Sequence, residues 1–190
     1  MQHGYLLRAL IPLLLLLTSF IGSGWAPFAV DEQLQVLLPH PAQEMDMAKL
    51  TGRSLPNTRV LWTTDSLALY QIIQVKLTPE QMATVMGEEN RQKYYNGVLK
   101  GLLNAQTDGV LLERTWFSTA AGPGMEVKVR ARHQSTGKLV VKYSRSLLAN
   151  GVGYAFNFIP KDLTDTAGVS GAEQRRRFFS SIQLIPAHKK

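Results

Sequence analysis

Residues 125–146 read MEVKVRARHQSTGKLVVKYSRS, and the fold is decided by how this stretch is paired. Val127, Val129 and Ala131 alternate with Lys128, Arg130 and Arg132. After Ser135-Thr136-Gly137, Leu139, Val141 and Tyr143 alternate with Lys138, Val140 and Lys142. A period of two is the mark of a strand with unlike faces. Gly137 supplies the left-handed residue that closes a short hairpin loop. Setting Arg132 opposite Val140, Arg130 opposite Lys142 and Val129 opposite Tyr143 predicts one apolar face. The other face then carries five cations, Lys128, Arg130, Arg132, Lys138 and Lys142. A slip by one residue would mix the faces.

Outward from the hairpin, Val110–Thr119 reads as a strand bearing Trp116 and Phe117, joined through a turn at residues 120–124. Val152–Ile159 is another strand, with Tyr154, Phe156 and Phe158 on one side and core packing as their expected use. Upstream, strands are expected at Leu34–Leu38, Thr58–Thr63 and Leu67–Leu77. The last has its odd positions apolar except at Gln71. Residues 42–57 read as a loop or irregular hairpin, broken by Gly52 and Pro56.

Two helices are marked by their starts. Thr78-Pro79-Glu80-Gln81 is a capping box with proline where no amide donor is needed. The helix it opens pauses at Gly87 and resumes over residues 88–104. Tyr95, Val98, Leu99, Leu102 and Leu103 lie on one face there. Gly97 and Gly101, four apart, suggest close packing on a sheet. Ser170-Gly171-Ala172-Glu173 opens a second helix through Arg175-Arg176-Arg177-Phe178-Phe179, with Arg177 expected to cover Phe178 or Phe179. Consecutive strands interrupted by helices predict an α+β fold, with a mostly antiparallel sheet packed between helices.

The chain of 190 residues is 45% hydrophobic and 18% charged, which fits one globular domain. There are no cysteines, which excludes a disulfide scaffold, a zinc-thiolate site, a thiol nucleophile and a cysteine-linked lipid anchor. Lys+Arg 21 against Asp+Glu 14 gives a net charge of +7 and a mild preference for anionic partners.

The N-terminus carries an export pattern. Arg8 is followed by an apolar run from Ala9 to Ile21 and then by Gly22, Ser23, Gly24, Trp25 and Ala26. A positive start, a short apolar core and a small-residue exit describe a signal peptide. It is assigned to residues 1–26, with the cut between 24 and 29, leaving 27–190 as a single domain. The alternative is an uncleaved anchor extended to Val30, since a membrane span needs about 20 apolar residues. Both readings export the domain, to the periplasm or beyond.

The order of features resembles the fold family of the extrinsic photosystem II protein PsbP, with its exported, uncharacterised bacterial relatives. The matching pieces begin with a first strand ending at Pro39 with Pro41, and a strand around Tyr70 leading to the helix over residues 88–104. Gly122-Pro123-Gly124-Met125-Glu126 then enters a strand, and Tyr154-Ala155-Phe156 forms an aromatic one. Arg177-Phe178-Phe179-Ser180-Ser181 runs last into Ile182-Gln183-Leu184. The resemblance spans about residues 33–186. It implies an α/β/α sandwich around an antiparallel sheet. It implies no activity, because relatives of this fold mostly bind or scaffold and share no catalytic motif.

Catalytic patterns are sparse. His3, His40, His133 and His188 form no cluster with metal-ligand spacing, and no metal or other cofactor is expected. No Gly-x-Ser-x-Gly turn and no phosphate-cradling glycine loop is present. The expectation is therefore a non-catalytic binding or accessory domain. A hydrolase of scattered residues and a membrane-tethered structural protein are the alternatives. The candidate ligand surface is the basic hairpin face. It would take an anionic protein, a lipid head group or another polyanion of the cell envelope, or it is simply a solvated outer face balanced by Glu113 or Glu126. Nucleic acid fits poorly, because no aromatics interleave with these cations.

Overall fold

The computed structural model describes residues 24–52, 55–133 and 136–185. The expected signal segment lies, up to residue 23, outside the described residues. In chain order the strands β1 (Ala26–Ala29), β2 (Leu34–Leu38) and β3 (Gln43–Glu44) precede a short helix, α1 (Met47–Thr51). Next come β4 (Thr58–Thr64), β5 (Ala68–Lys76), α2 (Pro79–Val85) and α3 (Glu88–Asn104). They are followed by β6 (Thr107–Thr119), β7 (Gly122–Arg132), β8 (Leu139–Ala149) and β9 (Val152–Pro160). Helix α4 (Ala172–Ser180) and β10 (Gln183–Leu184) end the described chain.

The main sheet has seven strands in the order β3-β4-β5-β9-β8-β7-β6, every neighbour antiparallel. A three-stranded sheet, β1-β2-β10, joins α4 on one face of it. There Tyr70, Tyr154, Phe156 and Phe158 meet Leu34, Val36, Leu38, Phe178 and Phe179 in the larger core. On the opposite face Val85 of α2 and Tyr95 and Leu99 of α3 pack on Met125, Val127, Val129 and Leu148. The expected α+β class and PsbP-like layering are what the molecule has. Among the described residues no helix is long and apolar enough to cross a membrane.

The starts of the helices divide. Thr78 caps α2 as expected: its amide donates to Gln81 Oε1 at 2.9 Å, and Gln81 N donates to Thr78 Oγ1 at 3.3 Å. Helix α4 is not capped by Ser170. Its N-cap is Gly171 in a left-handed conformation with no side-chain bond, and Ser170 N donates instead to Asp165 Oδ2. Residues 42–57, expected as loop, contain β3 and α1. Asp46 caps that helix by accepting from Lys49 N at 3.1 Å.

Faces or register differ from expectation in two places, β5 and the β7–β8 hairpin. In β5 the even positions Ala68, Tyr70, Ile72 and Gln74 are the buried ones, and the odd positions are half-buried on the helix side. Tyr70 and Gln74 escape a simple polarity count because their polar ends are bonded. The Tyr70 hydroxyl donates to Asp65 at 2.7 Å, and the Gln74 amide donates to Asp31. In the β7–β8 hairpin the register is one residue away from the expected pairing. Arg132 opposes Leu139, Arg130 opposes Val141 and Val129 opposes Lys142. Between the two strands Gly137 N donates to His133 O at 2.8 Å, and Gly137 is left-handed at φ 67°. Both faces of this sheet are covered, so a wet and a dry side do not govern the choice. Val127 and Val129 serve the core under α3, while Tyr143 serves the other core beside Phe158. They must point opposite ways, and Lys142 goes with Val129.

Candidate functional site: a cleft beneath the long helix

Helix α3 covers only part of the sheet. Its buried side, Tyr95 and Leu99, sits on β7 and β8, and the Tyr95 hydroxyl is fastened to Pro123 O at 2.8 Å. Burial pushes the Tyr95 phenol up to about 12. Trp116 closes edge-on against the Tyr95 ring at 5.7 Å, fixing that flank. The other flank, with Tyr94, Val98, Gly101, Leu102 and Ala105, faces β5 and β9 across an open space, and Tyr94 reaches the sheet at Gly153. The spacing of three and four along α3 puts these residues on one stripe.

The floor beneath that stripe is built of small and amide side chains. Across the strands, one row runs Gln71, Asn157, Ser144 and the next Ile73, Ala155, Ser146. A third runs Val75, Gly153, Leu148. In the β9 and β8 columns of the first two rows the side chains are short: Asn157, Ser144, Ala155 and Ser146. The result is a cleft of about 380 Å³. Its walls are apolar, with Ile73, Val75, Val98, Leu102, Val129 and Ile159 on them. The polar row is internally joined, Asn157 Nδ2 donating to Gln71 Oε1 at 2.9 Å.

One cation lines the cleft. Lys142 Nζ donates to Gln106 Oε1 at 2.6 Å, just past the C-terminus of α3. Among the described residues it has no carboxylate partner. Burial holds its ammonium below the ordinary lysine range, because the charged form loses water without gaining an anion. Among the described residues no histidine and no carboxylate lines the cleft. Tyr94 closes one end. A Cβ built on Gly153 would lie 2.1 Å from its hydroxyl, so only glycine lets this ring reach the sheet. By contrast Gly97 and Gly101, expected to pack closely on the sheet, have nothing within 4 Å of a built Cβ. They are open positions of the helix, and Gly101 borders the cleft.

The five expected site residues are therefore separated. Lys128, Arg130 and Arg132 share the face opposite to α3, Lys138 is exposed in the hairpin loop, and Lys142 lies in the cleft. The three that remain together are largely engaged. Lys128 Nζ donates to Ala167 O at 2.8 Å and lies 5.7 Å from the Tyr143 ring, and Arg132 pairs with Asp108 at 2.8 Å. Arg130 has no ion pair among the described residues. Glu126, expected to balance them, is taken by Arg145, which the sequence reading did not single out. Arg145 Nε bonds Glu126 at 2.8 Å and Nη1 bonds Phe179 O at 2.8 Å. Its guanidinium lies 4.7 Å from the Phe117 ring. Of the arginine triplet, Arg175 stacks on Tyr143 at 3.7 Å, Arg176 pairs with Glu173 at 2.7 Å, and Arg177 covers Trp25 at 5.1 Å rather than either phenylalanine. The cleft itself was signalled by polar residues in apolar strands, Gln71, Ser144, Ser146 and Asn157. Only Gln71 stood out from the pattern.

The fold has the PsbP-like architecture. The chain is similar to the solution structure of cyanobacterial PsbP (CyanoP) from Synechocystis sp. PCC 6803, with a TM-score of 0.56 and 10% sequence identity. The match covers 87% of this chain and 95% of that one. A crystal structure of a Pseudomonas aeruginosa protein of unknown function, PA94, aligns with a TM-score of 0.45 and 8% identity, over 88% of this chain and 100% of that one. No protein-family model and no curated protein matches the sequence.

Proposed function

We propose that this chain is an exported, non-catalytic accessory domain that works by binding, and that the cleft beneath α3 holds its ligand. The observation that carries this reading is the lone, half-buried Lys142 in an otherwise uncharged apolar cleft. Ligand sites are concave and mostly apolar, with a few convergent polar groups, and this cleft has that composition. A lining without histidine or carboxylate supports binding over general acid–base chemistry. Export is supported by the apolar run from Ala9 to Ile21 and the small residues after it. The anionic partner first assigned to the hairpin face becomes a small ligand with its anion at Lys142.

The test exploits Gly101, an open helix position bordering the cleft. Gly101→Leu places a branched side chain at the border of the cleft and raises helix propensity, by roughly 1 kcal/mol. The variant should keep or gain stability while losing the ligand. Protein isolated from its native envelope is examined by mass spectrometry for a bound small molecule. A molecule carried by the wild type and absent from Gly101→Leu supports the reading. Equal occupancy in both chains, or a bound species lost only in Arg130→Glu, overturns it and returns the site to the hairpin face.

A further inference from the structure

Resting on that reading, we infer that the ligand is an apolar monocarboxylate, an acyl chain or similar apolar body ending in one carboxylate that pairs with Lys142. The head group follows from counting charge. Among the described residues the cleft offers one ammonium and no acid, and the partner of that ammonium is a neutral amide, Gln106. A half-buried cation without a counter-ion is costly, and a monoanion cancels it. A dianion such as a phosphate monoester would leave a charge uncancelled among apolar walls. Lysine also presents a compact point charge, with no planar fork to hold several oxygens. Two positions along the same strand face, Ser144 adds a hydroxyl beside the amides of Gln71 and Asn157. These can donate to the second carboxylate oxygen.

The body of the ligand follows from the walls. Ile73, Val75, Val98, Leu102 and Ile159 are aliphatic, and among the residues lining the cleft only Tyr94 and Tyr154 carry rings. At about 380 Å³ the space lies near the lower end of small-molecule sites, roughly 300–1,000 Å³. That admits one chain and no diacyl lipid. On binding, the carboxylate displaces Gln106 from the Lys142 ammonium, trading a neutral acceptor for a charged one.

Calorimetric titration of the full domain with decanoate, decan-1-ol and decyl phosphate at pH 8 tests this directly. Decanoate should bind at least tenfold tighter than the alcohol and tighter than the phosphate. Lys142→Met keeps the length and apolar character of the stem. It should erase the preference for decanoate while leaving the alcohol's affinity within about threefold. Equal binding of alcohol and acid, a preference for the phosphate, or a preference that survives Lys142→Met overturns the head-group assignment while the cleft remains a binding site. If none of the three probes binds, or if binding persists unchanged in Gly101→Leu, the cleft reading itself falls and the inference falls with it.

Discussion

At the scale of single residues, Gly153 sets the shape of the cleft. Alanine is ordinarily a gain over glycine inside a strand, because it removes freedom from the unfolded chain. Here the sign reverses. The added Cβ would lie 2.1 Å from the Tyr94 hydroxyl, so the ring must move off the sheet. We expect Gly153→Ala to cost about 1–3 kcal/mol in urea denaturation, the usual range for overpacking. The clash is with one oxygen, and the next ring atom, Cζ, is 3.4 Å away. In a Tyr94→Phe background the same substitution should therefore cost at least about 1 kcal/mol less. Equal costs in the two backgrounds would show that the phenol does not set the limit.

Among the elements, α4 is held by more than its apolar face. Phe178 and Phe179 are buried, but the helix backbone is tied to the main sheet through Arg145, which bonds Phe179 O and Glu126 together. Arginine and glutamate are both mostly buried, at 23% and 27% side-chain exposure, so losing one partner strands the other. Arg145→Ala should cost about 2–4 kcal/mol in urea denaturation. Adding Glu126→Gln should recover a good part of that loss, since the orphaned charge is then gone. A loss below about 0.5 kcal/mol would place the pair with ordinary surface salt bridges. The elements themselves were largely legible. The capping box at Thr78, the break at Gly87 and the aromatic alternation in β9 each carry a local cause that survives into the fold. What was not legible depends on partners distant in sequence. The β7–β8 register follows from two cores on opposite faces, and a hairpin read in isolation has only one face to bury. One local signal was overlooked: Asn150-Gly151, both left-handed, makes the two-residue turn that pairs Ala149 with Val152 and fixes which side Tyr143 takes. The candidate site was legible only in fragments, the interruption at Gln71 and the cation Lys142 assigned to the hairpin face, because a cleft is made by what small residues leave unfilled, and unfilled space has no residue type.

For the molecule as a whole, the proposed export signal meets the fold at its N-terminal boundary. Trp25 meets the Tyr70 ring edge-on at 5.3 Å, and the Arg177 guanidinium lies over the Trp25 ring at 5.1 Å. Strand β1 lies along β2, and Phe28 packs against the larger core. Val30 is 2% exposed, and next to it Asp31 accepts from the Tyr154 hydroxyl at 2.7 Å. A cut after Ala26 would discard the Trp25 wedge, and a cut after Ala29 would discard the whole of β1. A cut after Gly24 keeps both. Burial of a large side chain is worth roughly 1.5–3 kcal/mol, so the mature chain is expected to begin at Trp25. Two recombinant chains, starting at residues 25 and 30, should differ in unfolding free energy by about 2–4 kcal/mol in favour of the longer. N-terminal sequencing of the exported protein then reads the boundary itself. A start at Pro27 or Val30 would show that export proceeds without this anchor. An intact residue 1 on membrane-bound protein would replace the signal peptide with a tether.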